Sequence, residues 1–197
     1  MPLETLLALS LFCLVSSITP GPNNLMLLSS GVNFGFRRSI PHMLGIASGF
    51  SLMVFLVGVG VSSLFKLWPL SLLILKWFSV AYLVYLAYKI ANSSSPNQVN
   101  STAKPFSYIQ AALFQWVNPK AWTMAITVNA VYAPEQDLKS ITAVTFVYFI
   151  INLPSINCWL VLGNNLNRVL QQANHLLWFN RIMAALLIVS FVPMLDS

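Results

Sequence analysis

Lys120 stands near the middle of Pro105–Pro134, a run of thirty positions with no other charge. Placing an ammonium at such a depth in hydrocarbon costs about 3 kcal/mol on insertion scales, and a charge there marks function by default. It can hold a carboxylate, or carry a proton once its pKa is lowered. Directly before it stand Asn118 and Pro119, and half a chain earlier Thr19-Pro20-Gly21-Pro22-Asn23-Asn24 interrupts another uncharged run. Proline removes a backbone donor and clashes with the preceding turn, so a helix must break or kink at both places. Freed carbonyls in hydrocarbon cost several kcal/mol each, so such backbone survives only inside a bundle or along a cavity. Asn23 and Asn24 can bond a substrate's carboxylate or amine, or cap the helix that resumes after Pro22. Free N–H groups at that helix start also attract anions. Thr123 shares the helix face of Lys120, and Asn152 lies on a polar face beside Pro154. The candidate binding set is therefore Thr19, Pro20, Gly21, Pro22, Asn23, Asn24, Asn118, Pro119, Lys120, Thr123 and Asn152. Lys120 is also the candidate for proton coupling, with His42, at an interfacial helix start, a weaker one.

The elements that position these groups follow from composition. Of 197 residues, 57% are hydrophobic and 7% charged, against about 25% charged in a soluble domain. Such a chain cannot cover a water-facing surface, which excludes soluble enzymes, disulfide modules and disordered tails. An integral membrane protein remains, with the bilayer as its solvent partner. Basic residues are spread singly, so no nucleic acid is expected. Cys13 and Cys158 sit in apolar stretches and suggest neither a disulfide framework nor a zinc site. No Asp or Glu falls inside a span, which counts against metal-cation transport; no cofactor and no enzymatic activity are expected.

Six helical spans are predicted, because each apolar run reaches the roughly 20 residues needed to cross about 30 Å. They are Thr5–Phe36, Ser39–Phe65, Leu70–Ile90, Pro105–Pro134, Ser140–Asn167 and Ala173–Met194. Lys76 and Arg181 lie close enough to span ends to snorkel. The first charge, just ahead of the first span, is Glu4 rather than a basic cluster, and the span is read as a helix, not a signal peptide. The polar stretch Asn92–Lys104 divides the chain into a first repeat of about residues 1–91 and a second of about 107–197, joined by a 92–106 loop within one transmembrane domain. Three spans per half make the repeat inverted. Pro20 and Pro119 are matching landmarks, as are Trp77-Phe78 and Trp178-Phe179. Paired breaks at corresponding positions are the sequence signature of a transporter's central site. Arg37, Arg38, Lys89, Lys104, Arg168 and Arg181 fall on one side, and Lys66, Lys76, Lys139 and all four acids, Asp196 among them, on the other. The positive-inside rule then puts both termini outside. Gly45 and Gly49 form a small-residue face, expected to pack internally, with a homodimer left open.

Four motifs, Thr19-Pro20-Gly21-Pro22-Asn23, Gly35-Phe36-Arg37-Arg38, Gly45-Ile46-Ala47-Ser48-Gly49 and Asn118-Pro119-Lys120-Ala121, in this order, closely resemble the LysE/RhtB family of amino-acid exporters. Thr19–Leu25, Gly35–Arg38 and Lys104-Pro105 are most similar to its cysteine/O-acetylserine efflux branch. The resemblance implies a six-helix protein of the bacterial inner membrane that exports small amino acids or their derivatives on the proton gradient, by alternating access. A transmembrane thiol-redox carrier using Cys13 and Cys158 is the alternative; it requires the two thiols to meet.

Overall fold

The computed structural model describes residues 1–63, 67–68, 70–93, 104–170 and 172–190. Phe65 and Met194, expected as span ends, Lys66, Asp196 and most of the Asn92–Lys104 loop lie outside them. Every regular element among the described residues is helical. They are α1 (Leu3–Ile18), α2 (Pro22–Phe34), α3 (Phe36–Gly58), α4 (Leu70–Ala91), α5 (Tyr108–Phe114), a 3₁₀ turn at Gln115–Val117, α6 (Pro119–Tyr132), α7 (Leu138–Asn167) and α8 (Ala173–Val189).

The helix boundaries follow from local chemistry. Thr19 precedes a proline and turns extended, at φ −63° and ψ 144°, which ends α1. Pro22 then opens α2, where its fixed φ fits and its missing N–H is not needed. The two helices meet at 56°. Asn118, extended ahead of Pro119, separates the 3₁₀ turn from α6 in the same manner. Gly35 has φ +77°, a left-handed conformation that glycine adopts freely, and turns the chain from α2 into α3 within one residue. Ser107 and Gln110 close a capping box on α5, and the Asp137 carboxylate accepts from Ser140 N at 2.9 Å to start α7. The Ser140 hydrogen bonds hold the Asp137 carboxyl below its usual range. Thirty residues long, α7 runs on through Pro154 and extends about 45 Å at 1.5 Å per residue.

Among the described residues three helices are long and apolar enough to cross a membrane: α3, the Leu73–Ala91 part of α4, and α7. The α1–α2 pair passes the same test as one bent span. The expected fourth span is divided between α5, the 3₁₀ turn and α6, and the described part of α8 has 17 residues. Leu7, Leu11, Val15, Leu73, Ile74, Phe146 and Ile150 point outward, as they would where the solvent is hydrocarbon.

The half-helices divide between two cores. Leu9 and Cys13 of α1 pack with Phe50, Met53 and Val54 of α3, Ala121 and Ala125 of α6, and Val144 and Tyr148 of α7. Leu25 and Met26 of α2 pack with Leu83 and Leu86 of α4, Phe114 of α5 and Leu187 of α8. Each broken segment thus gives one half to each core, and each break is the crossing point. A smaller cluster of Leu27, Ile46, Ala47, Ala111, Ile156 and Leu160 joins α2, α3, α5 and α7. Close backbone approach holds the seam: a Cβ on Gly31 would sit 2.6 Å from the Leu160 carbonyl of α7, and one on Gly49 2.6 Å from Ala112 Cα of α5. The Gly45/Gly49 face therefore packs inside the protein, against Ala111 and Ala112.

Candidate functional site

The two breaks meet. Lys120, in the first turn of α6, reaches across to the break after α1, where its ammonium donates to Thr19 O and Thr19 Oγ1 at 2.8 Å each and to Pro20 O at 3.3 Å. A cation is thus placed at the C-terminal, negative end of a helix whose last carbonyls have no intrahelical partner. Lys120 N in turn donates to Asn118 Oδ1 at 3.2 Å, so Asn118 caps the helix that carries the lysine. From the other break, the Asn23 amide exchanges hydrogen bonds with Gln115, at 2.8 and 3.1 Å. Gln115 is held from behind by its own bond to Ala111 O, 2.9 Å. Asn24 Nδ2 donates to Ser17 O and Thr19 O, both at 2.8 Å, bridging the end of α1 to the start of α2.

Between these groups lies a cavity of about 20 Å³, counted as the space open to a water molecule's centre. One water fits such a volume, and an amino acid does not. Its wall is formed by Ser16, Ser17, Gly21, Asn23, Asn24, Phe50, Asn118, Lys120, Ala121, Met124, Asn152 and Ile156. Three buried polar atoms on this wall have no partner in the protein: Ser17 Oγ, Asn24 Oδ1 and Asn152 Nδ2. A buried polar atom without a partner costs about 1 to 3 kcal/mol. Two oxygens and an amide N–H left open around one small space are a polar binding site in miniature.

The sequence-based candidates sort accordingly. Gly21, Asn23, Asn24, Asn118, Lys120 and Asn152 line the cavity, and Thr19 and Pro20 supply the oxygens that hold the lysine. Pro22 and Pro119 begin α2 and α6 without reaching the space. Thr123 is exposed, spends its hydroxyl on Pro119 O at 3.1 Å, and is not brought to the cavity. Ser17, Gln115 and the ring of Phe50 were not anticipated. They belong to segments whose partners lie many residues away, and only the unusual polarity of Ser16-Ser17 and Gln115 within apolar runs signals them.

One further expectation changes, and the alternative reading gains no support. His42 is fully buried, with Pro41 taking the exposed position; its imidazole and the Phe106 ring pack in a T-shaped pair with centres 5.2 Å apart, and neither ring nitrogen has a hydrogen-bond partner. Lys89 Nζ lies 4.3 Å from the centre of the same phenyl ring. Both cysteines are free, Cys13 buried in the apolar core and Cys158 exposed on α7, which does not favour a thiol relay between them. Among the described residues no group of three His, Cys, Asp or Glu side chains is placed to hold a metal ion.

A second buried polar cluster, unread in the sequence, closes the bundle at one end. Asn33 of α2 and Asn180 of α8 exchange amide hydrogen bonds at 2.7 and 2.9 Å, and Asn180 also donates to Ser93 O, 2.8 Å. Beside it, Asn164 Oδ1 accepts from Phe36 N at 3.0 Å and Asn167 Nδ2 donates to the Val32 carbonyl. These bonds gather the described parts of the 31–41, 91–106 and 163–175 connections.

Residues 14–193 match the family of LysE type translocators. The chain is 34% identical over 180 residues to the cysteine/O-acetylserine efflux protein of Escherichia coli O139:H28, covering 90% of both chains. It is 33% identical, with the same coverage, to the proteins of that name from Escherichia coli K12 and Shigella flexneri. No solved structure matches it.

Proposed function

Because this chain belongs to the LysE-type translocator family, we propose that it exports small amino acids or their derivatives across the bacterial inner membrane, with cysteine and O-acetylserine the first substrates to test. Six spans in two inverted three-helix repeats carry the transport, with both termini outside. The observation that carries the proposal is the junction of the two breaks, where a lysine, opened helix ends and unpartnered amides surround one small cavity.

An amino acid presents a carboxylate and an ammonium about one carbon apart. For the carboxylate, the site offers the Lys120 ammonium and the start of α2, where the N–H groups of Asn23 and Asn24 precede the first intrahelical bond, Leu25 N to Gly21 O. For the ammonium it offers the carbonyls at the end of α1 and the oxygens of Ser17 and Asn24. Asn152 supplies a donor from α7. The cavity is too small for a substrate as it stands, so the helices must part to admit one. The crossing of each broken segment between two cores gives the hinge: movement of one core against the other opens the site to one face and then the other, which is alternating access. Driving export by the proton gradient requires a group that gains and loses a proton; Lys120 is the candidate within the site.

The test is an efflux panel in cells lacking endogenous exporters, covering cysteine, O-acetylserine, homoserine, threonine, leucine and lysine. Expression of the chain is expected to lower the intracellular level of at least one, and expression of Lys120→Ala at equal abundance to leave it unchanged. Unaltered levels of all six with wild-type protein in the membrane would refute the proposal.

A further inference from the structure

We propose that Thr19 O, Thr19 Oγ1 and Pro20 O form a receptor for a primary ammonium, that Lys120 fills it as a tethered ligand in the substrate-free protein, and that the substrate's α-ammonium displaces it. The idea rests on the amino-acid reading of the site and adds to it the order of events and a requirement on the substrate.

A primary ammonium has three donors and no acceptor, and the Lys120 ammonium has three oxygens around it, at 2.8, 2.8 and 3.3 Å. All three belong to the broken end of α1, where the helix leaves carbonyls open and the dipole is negative. The α-ammonium of an amino acid carries the same three donors at the same charge, so the two groups compete for one place. The side chain of Lys120 lies across Gly21 to reach the oxygens. A Cβ on Gly21 would come 2.8 Å from Lys120 Cδ and 3.2 Å from Nζ. Gly21 has extended backbone, at φ 177°, so any residue fits its conformation and only the lysine side chain stands in the way. Next to the oxygens, buried Ser17 Oγ and Asn24 Oδ1 lack partners and face the same cavity, which leaves further acceptors beside the place the ammonium takes.

Displacement leaves Lys120 charged beside the incoming molecule, where the substrate carboxylate becomes its partner. The zwitterion is thereby inserted between Lys120 and α1, and the direct tie between the breaks is replaced by one running through the substrate. One ammonium leaves the oxygens and another takes them, while the carboxylate meets the released lysine; the net charge of the site does not change. A ligand must then bring a free α-ammonium as well as a carboxylate, and an N-acylated amino acid cannot start the exchange.

Thermal unfolding of the purified full-length protein in detergent tests this without transport. Methylammonium chloride is the probe, and tetramethylammonium chloride, which has no N–H donor, is the control. Lys120→Ala empties the oxygens, and Gly21→Ala crowds the lysine side chain where it lies across them while keeping its charge. Both variants are expected to show a dose-dependent rise in Tm with methylammonium, through ligand linkage, and none with tetramethylammonium. The wild type is expected to respond weakly, because its tethered amine is present at high effective concentration. Cysteine is expected to raise the wild-type Tm and N-acetylcysteine to leave it unmoved. Equal responses to methylammonium in wild type and both variants, or equal responses to the two ammonium salts, would overturn the proposal. Should Lys120→Ala not fold, Gly21→Ala carries the same comparison. A protein that exports none of the panel yet keeps the methylammonium response would refute the exporter reading and leave the ammonium receptor standing.

Discussion

Lys120 joins two helix breaks through one ammonium, so its replacement removes the tie between α1 and α6 and, on the proposed function, a ligand of the substrate carboxylate. Lys120→Arg is expected to fail nearly as fully as Lys120→Ala in efflux, since a planar guanidinium fork does not match three oxygens gathered around one nitrogen. Efflux rates at matched membrane abundance check this, and near-normal transport by Lys120→Arg would contradict it. The Asn33–Asn180 amide pair makes a different demand. Both side chains are fully buried and every amide hydrogen bond between them is made, so Asn33→Ala strands its partner and is expected to cost about 1 to 2 kcal/mol of stability. Replacing both by Leu is expected to cost less than the two single changes together. Thermal unfolding of the singles and the double measures the difference.

At the scale of elements, glycines decide how closely helices approach. Gly31→Val puts a branched side chain where the Leu160 carbonyl already lies 2.6 Å from a bare Cβ. Separating α2 from α7 is expected to cost at least the 1 to 3 kcal/mol usual for overpacking, seen as a lowered Tm and poorer recovery of folded protein. Asp137, whose carboxyl is held below its usual range by Ser140 at the start of α7, stabilises the folded state only where it is ionised more readily than in the unfolded chain. Its contribution is present above the ordinary carboxylate range and is lost as pH falls through the lowered folded value; Asp137→Asn is expected to flatten that acid limb in a plot of Tm against pH. The breaks themselves were legible in the sequence, because Pro20, Pro22 and Pro119 act through local sterics. The same is true of the small-residue face at Gly45 and Gly49. Not legible were the 3₁₀ turn at Gln115–Val117, the Asn23–Gln115 pair and the Asn33–Asn180 pair, since each depends on a partner in a distant span. Thr123 shows the converse: sharing a face with Lys120 does not place it on the cavity wall when the lysine side chain leans away toward α1.

Across the whole molecule, two apolar cores share the broken segments, and α7 spans the contact between them. Transport by movement of one core against the other requires the breaks to separate and rejoin. In a background with Cys13 and Cys158 replaced by Ala, cross-linking Asn23→Cys to Gln115→Cys is therefore expected to stop efflux, with reductant restoring it; transport that persists after complete cross-linking would exclude motion at this junction. Among the described residues the charged ones lie mostly towards the ends of the helices, and Lys120 is the one drawn to the meeting of the breaks. The most direct test of the account is uptake and release of labelled cysteine and O-acetylserine in proteoliposomes carrying a proton gradient, with wild type and Lys120→Ala reconstituted at equal density. The account predicts gradient-driven movement of at least one of these by the wild type, and none above empty vesicles by the variant. Equal transport by the two proteins would contradict it.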